Sequence, residues 1–160
     1  MTVTAADLMT RDLVMVRQLD NVSKVAGVLA GRGISAAPVV DAEGKLLGMV
    51  SEEDLMRQLG AEHESRRAWW LQMLAEGEDL APDFLEYLKQ EKRTAADVMS
   101  REVVTVAPDA PVSEIVDLFA KHRIKRVPVV QEGKVVGIVS RADIIRAIAA
   151  GRLTYGQPNG

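Results

Sequence analysis

The chain is written twice, and that duplication limits its fold more than any other feature. Ala5-Ala6-Asp7-Leu8-Met9-Thr10-Arg11-Asp12 returns 90 residues later as Ala95-Ala96-Asp97-Val98-Met99-Ser100-Arg101-Glu102. Pro38-Val39-Val40 returns as Pro128-Val129-Val130 at the same offset. Glu43-Gly44-Lys45-Leu46-Leu47-Gly48-Met49-Val50-Ser51 returns as Glu132-Gly133-Lys134-Val135-Val136-Gly137-Ile138-Val139-Ser140 at an offset of 89, so the second copy lacks one residue in the turn near Asp41. Pairing 5–40 with 95–130 and 43–57 with 132–146 gives 22 identities in 51 positions, and many of the other pairs exchange one aliphatic residue for another. The chain therefore holds one small unit repeated, and the fold must suit a unit that comes in pairs.

Each copy reads alike. A short helical turn opens it, capped by Thr4 or Thr94, and an extended stretch follows at Val14-Met15-Val16 or Val104-Thr105-Val106. An amphipathic helix is predicted at about 22–31 and 111–121, with Val22, Val25, Val28 and Leu29 on its apolar face, matched by Val112, Ile115, Leu118 and Phe119. In the second copy Asp109 and Pro111 make a helix start. Strands at about 37–41 and 46–50, and at 127–130 and 135–139, are joined by turns containing Glu-Gly, which favour a hairpin. A last helix starts at Ser51 or Ser140, with Ile144, Ile145 and Ile148 as its apolar positions in the second copy. The order is β-α-β-β-α, an α/β unit with a three-stranded sheet and one apolar face that a second copy can cover.

The segment 58–93 has no counterpart in the repeat. Trp69, Trp70, Leu71, Met73 and Leu74 suggest one helix and Phe84, Leu85, Tyr87 and Leu88 another, with a break at Ala81-Pro82. The organisation read from sequence is 1–57 first repeat, 58–93 inserted helical hairpin, 94–150 second repeat and 151–160 flexible tail. A net charge of -3 argues against a generic nucleic-acid binder. With no cysteine and only His63 and His122, neither a thiolate nucleophile nor a metal centre is expected. The N-terminus lacks the apolar core of a secretory signal, and no apolar run reaches the roughly 18 residues a membrane span needs. A cytoplasmic protein is the expectation.

The repeated motifs resemble the cystathionine-β-synthase-type domain, the CBS domain, in its usual tandem pair, the Bateman module. The resemblance rests on Ala6–Thr10 and Ala96–Ser100, on the Pro-Val-Val strand, on Gly48-Met49-Val50-Ser51-Glu52-Glu53-Asp54 and Gly137-Ile138-Val139-Ser140-Arg141-Ala142-Asp143, and on His122-Arg123-Ile124-Lys125-Arg126-Val127-Pro128. It covers roughly 5–57 and 95–147. It implies two pseudo-symmetric β-α-β-β-α repeats packed sheet to sheet, commonly assembled as a homodimer. It also implies a regulatory, non-catalytic module that binds AMP, ADP, ATP, NAD or S-adenosylmethionine in clefts between the repeats.

The resemblance further implies a chemistry for particular residues. Ser51 and Ser140 sit where a strand becomes a helix, where backbone N–H groups attract phosphate and a hydroxyl can bond it. Asp54 and Asp143 can each accept two hydrogen bonds from vicinal ribose hydroxyls. The competing reading is a capping box, since Thr4-x-x-Asp7 and Thr94-x-x-Asp97 share the spacing and read as caps only. Gly48 and Gly137 admit a ligand or backbone close by, or mark strand kinks. The adenine slot falls to Val14, Val16, Ala36, Ala37 and Pro38 in one copy, and to Val104, Val127 and Pro128 in the other, for which core packing is the competing reading. Lys125, Arg126 and Arg141 supply cations for phosphate, where the first copy has Ser35 and Ala36 at the matching strand start. Residues 1–57 carry six bases and eight acids, and residues 95–160 nine and seven, so the second copy is expected to favour a phosphorylated ligand, and the first to bind weakly, hold a less charged nucleoside or use cations reached across the cleft.

Two functions compete. One is a nucleotide-sensing signal-transduction module acting on an effector protein outside this chain, or on a C-terminal domain since lost. The other is a structural dimerisation module with vestigial nucleotide sites. Neither a nucleophile–base constellation nor a metal set supports an enzyme.

Overall fold

The computed structural model describes residues 2–57 and 92–153. The segment predicted as an inserted helical hairpin, with Trp69, Trp70, Phe84 and Tyr87, lies outside the described residues, as does most of the tail. In chain order the elements are α1 (Ala5–Leu8), β1 (Val16–Arg17), α2 (Val22–Arg32), β2 (Ala36–Val40), β3 (Leu46–Ser51), α3 (Glu52–Arg57), α4 (Ala95–Val98), α5 (Val112–His122), β4 (Arg126–Gln131), β5 (Lys134–Ser140) and α6 (Arg141–Ala149). This is the mixed α/β order that the duplication predicts, with helix and strand bounds shifted by a residue or two.

The chain forms two compact units, and neither is one unbroken repeat. Among the described residues the first unit takes 14–42, 47–57 and 92–103, and the second takes 2–13, 43–46 and 104–153. The opening turn α1 of the first repeat thus packs in the second unit, and the opening turn α4 of the second repeat packs in the first.

In the first unit β1, β2 and β3 form a sheet in that order. β1 runs parallel to β2, with Val16 opposite Val39 and Arg17 opposite Val40. As the central strand, β2 is buried at every position. The helix α2 packs Val22, Val25, Ala26 and Leu29 into a core with Val16, Ala37, Val39, Val50 and Leu55, and α4 adds Ala95, Val98 and Met99. Burying Val98 contributes about 1.5–3 kcal/mol, enough to hold a four-residue turn that could not be helical alone. Its first amides are satisfied from outside the turn: Ala95 N–H donates to the Asp20 carbonyl (2.8 Å) and Ala96 N–H to the Gln18 carbonyl (3.0 Å). Asn21 caps α2 by accepting the Ser23 and Lys24 amides at 3.0 and 3.1 Å. Gly33 ends that helix at φ 62°, where glycine has no Cβ penalty.

The second unit repeats this plan around Val106, Val112, Ile115, Phe119, Val127, Val129, Val139, Ile144 and Ala147, with α1 contributing Ala5 and Leu8. Ala5 N–H donates to the Ala110 carbonyl (2.8 Å) and Ala6 N–H to the Pro108 carbonyl (2.9 Å). Two features depart from expectation. The extended stretch at 104–106 is a single parallel bridge, Val106 to Val129, rather than a strand. Pro108 stands where the ladder needs its next N–H donor, and proline has none. Pro111 is the N-cap of α5 rather than its first residue, and Asp109 does not cap it; the Val112 N–H is taken by the Val3 carbonyl at 3.0 Å. β4 and β5 form the predicted antiparallel hairpin across Glu132-Gly133, both at positive φ, with a bulge after Val129. Pro128 serves its neighbour as acceptor only, receiving the Val106 N–H at 3.1 Å. Of the last helix's apolar positions Ile144 is buried and Ile148 half-buried, while Ile145 points to solvent.

Candidate ligand site

Each unit contains a strand that ends in a serine and continues directly into a helix, β3 into α3 and β5 into α6. The third helical residue of each is an aspartate, and these two are the buried charged side chains among the described residues: Asp54 is 4% exposed and Asp143 8%. A carboxylate is expensive to bury without partners. Asp143 has four. Its Oδ2 accepts the Ser140 N–H (2.8 Å) and hydroxyl (3.0 Å). Its Oδ1 accepts Arg146 (2.5 Å) and the Thr10 hydroxyl (3.4 Å). Asp54 has the same set: the Ser51 N–H (2.8 Å) and hydroxyl (3.0 Å) on Oδ2, and Arg57 with the Ser100 hydroxyl (3.4 Å) on Oδ1.

The capping box read as the competing explanation is therefore present at both junctions. The Asp143 amide also donates to the Ser140 hydroxyl oxygen at 3.3 Å, and the Asp54 amide to that of Ser51 at 3.2 Å. The first helical amide is engaged as well: Arg141 N–H donates to the Lys125 carbonyl and Glu52 N–H to the Ser35 carbonyl, both at 2.9 Å. Those amides are not free to meet a phosphate. The boxes at Thr4–Asp7 and Thr94–Asp97 differ in exposure: Asp7 and Asp97 lie in solvent, and the Thr4 and Thr94 amides, then their hydroxyls, hold these carboxyls below the usual carboxylate range.

The two hydroxyls that complete the buried carboxylates, Thr10 and Ser100, were not singled out from sequence. Each ends an opening turn and reaches an aspartate 133 or 46 residues away. The repeated Met-Thr/Ser pair was the available signal. Gly48 and Gly137 are explained by the same segments. A Cβ on Gly48 would lie 2.6 Å from the Ser100 carbonyl oxygen, and one on Gly137 would overlap the Met9 side chain. Backbone bridges from Met49 to Ser100 and from Thr10 to Ile138 press these segments onto the strands. The close approach is made by protein.

The remaining candidates divide by burial. Val16, Ala37, Pro38, Val127 and Pro128 are buried, and Val16, Ala37 and Val127 lie within the two cores. Ala36 is also buried, and Val14 and Val104 are half-buried. Lys125 and Arg141 are exposed and Arg126 is half-buried; the Lys125–Arg141 backbone bond places all three at one junction. Among the described residues no group of three His, Cys, Asp or Glu side chains could hold a metal ion, and no helix is long and apolar enough to cross a membrane.

Comparison with known proteins supplies the context for this pair of junctions. An uncharacterized protein of Methanocaldococcus jannaschii, MJ1426, is 32% identical over 154 residues, covering 89% of each chain. The CBS domain pair of protein MJ0100, solved with 5'-methylthioadenosine and S-adenosyl-L-methionine, superposes with a TM-score of 0.67 at 25% identity over 94% of this chain and 99% of that one. CBSX2, solved in complex with AMP, gives a TM-score of 0.69 at 25% identity over 94% and 98%. The CBS domain family matches residues 5–61 and 95–150, the two copies that each run through turn, helix, hairpin and Ser-x-x-Asp junction. The chain belongs to the CBS domain family, as a tandem pair.

Proposed function

We propose that this chain is a regulatory ligand-sensing module whose strand–helix junctions bind adenosine-containing ligands. The observation that carries the reading is the matched pair of buried aspartates, Asp54 and Asp143, each set among hydroxyls. A ribose diol needs a carboxylate as acceptor, and Arg57 and Arg146, 65% and 69% exposed, are the donors that can swing away to supply it. Ser51 and Ser140 lie beside the phosphate position, joined in the second unit by Lys125, Arg126 and Arg141. Half-buried Val14 with Ala36, and Val104 beside the start of β4, offer walls for adenine. The reading is further supported by the relatives solved with AMP and with S-adenosyl-L-methionine. AMP, ADP, ATP and NAD are the phosphorylated candidates. A cytoplasmic homodimer that signals to a separate effector protein completes the reading.

One observation favours a second reading, a dimerisation module with vestigial sites: both carboxylates hold four donors supplied by the chain itself. Thermal denaturation decides between the two. AMP, ATP, NAD and S-adenosylmethionine are titrated against the full chain, and at a hundredfold excess over Kd a functional site adds about 2.7 kcal/mol, a rise of several degrees in melting temperature. Asp143→Ala removes most of the rise produced by a phosphorylated ligand. A melting temperature indifferent to every compound leaves the dimerisation reading.

A further inference from the structure

The two junctions share their hydrogen bonds but not their charges. In the first unit the helix start carries Glu52 and Glu53 ahead of Asp54, and the paired strand start carries Ser35 and Ala36. In the second unit the corresponding residues are Arg141, Ala142, Lys125 and Arg126. In each case the strand-start carbonyl accepts the first helical amide at 2.9 Å, so the differing side chains leave from equivalent points beside equivalent buried carboxylates.

Helix stability accounts for one junction and not the other. Acids at a helix N-terminus complement its positive end, so Glu52 and Glu53 suit α3. Arg141 occupies the first position of α6, where the same field disfavours a cation, and exposed Lys125 adds to that positive charge. A bound anion would turn this local cost into a gain, and nothing in the fold of α6 calls for a cation there. Residues that break a local rule in this way belong to functional sites.

We propose that the two junctions sort adenosine ligands by charge. The second unit takes phosphorylated, anionic members. The first unit rejects them and takes uncharged or sulfonium-bearing adenosine derivatives. This rests on the adenosine reading given above and adds to it which class each site accepts.

The test is titration calorimetry on the full chain with two probes, AMP and 5'-methylthioadenosine, in low and high salt. AMP binds with an affinity that falls as salt rises, and methylthioadenosine binding is insensitive to salt. Lys125→Ser with Arg141→Glu gives the second unit the first unit's residues at two of the four differing positions. AMP affinity then falls about tenfold or more while methylthioadenosine moves by less than about twofold. The reverse exchange, Ser35→Lys with Glu52→Arg, creates a further AMP site. Because these side chains lie at the surface or at its edge, the variants fold; Arg141→Glu alone raises the melting temperature of the unliganded chain, an effect that a cation with a purely structural role would not give. The proposal is overturned if both probes weaken together, if AMP binding ignores salt, or if Arg141→Glu destabilises the unliganded chain. Absence of binding by either probe to the unmodified chain removes the adenosine reading itself, and the sorting with it.

Discussion

At the end of β3 and at the end of β5 the chain builds one device twice, with a serine, a buried aspartate three residues on, an arginine three beyond it, and a hydroxyl delivered by the other repeat's opening turn. The surroundings differ by five charges. Lys125 for Ser35 and Arg126 for Ala36 add one each, Arg141 for Glu52 adds two, and Ala142 for Glu53 adds one. The lesson is that what holds the junction together and what tunes it are separate residues. The capping box and buried carboxylate maintain the strand–helix connection, and neighbours at the rim vary without disturbing it.

The comparison can be pressed hardest at the glycines. Gly48→Ala meets a backbone carbonyl that cannot turn aside, and a loss of about 3 kcal/mol is expected in urea denaturation. Gly137→Ala meets the Met9 side chain, from its flexible end back to its Cβ, and a smaller loss of about 1–2 kcal/mol, partly restored by adding Met9→Ala, is expected in the same assay. Equal losses at the two sites, or no rescue, would show that Ser100 and Met9 are not the groups whose approach these glycines permit.

The exchanged turns give the next largest effect. Thr94→Ala removes the hydroxyl of a capping box in the first unit and Thr4→Ala its counterpart in the second, each costing about 1 kcal/mol by chemical denaturation. Smaller again is a difference at the helix ends. α2 stops on Gly33 at φ 62°, and α5 stops on Arg123 at φ 54°, a conformation in which a side chain is disfavoured. Arg123→Gly should stabilise the chain by about 0.5–1 kcal/mol, and Gly33→Ala should destabilise it by a similar amount.

The smallest expected effect is on acid stability. Asp7 and Asp97 have folded pKa values held below the ordinary 3.8 by the Thr4 and Thr94 amides. Their ionised forms therefore favour the folded state; this contribution is complete above the unfolded pKa and is lost as pH falls through the folded one. The urea midpoint should decline on acidification, and less steeply in an Asp7→Asn, Asp97→Asn double variant.

Much of this was legible in the residues. Spacing placed α2 and α5 to within a residue or two, because Val22, Val25 and Leu29, and Val112, Ile115 and Phe119, recur at helical intervals and all six are buried. The turn Glu132-Gly133 announced its hairpin through the glycine that its positive φ requires. Ser-x-x-Asp announced both helix starts, yet not that its acid would be buried at 54 and 143 and exposed at 7 and 97. The spacing is identical in all four, and burial depends on what lies above the turn. The lost strand at 104–106 was readable only with its partner known, since Pro108 matters solely because β4 would ask it for a hydrogen.

Sequence alone determined the duplication, the order of most elements, the caps at Thr4, Thr94, Ser51 and Ser140 and the uneven placement of charge, since each is a matter of near neighbours along the chain. Tertiary structure alone decided which unit each opening turn completes. Ala5 with Leu8 and Ala95 with Val98 are near-equal apolar pairs, so either turn would satisfy either core, and no local pattern can choose between equivalent partners. That choice brings Thr10 to Asp143 and Ser100 to Asp54, and so sets the electrostatics of the site.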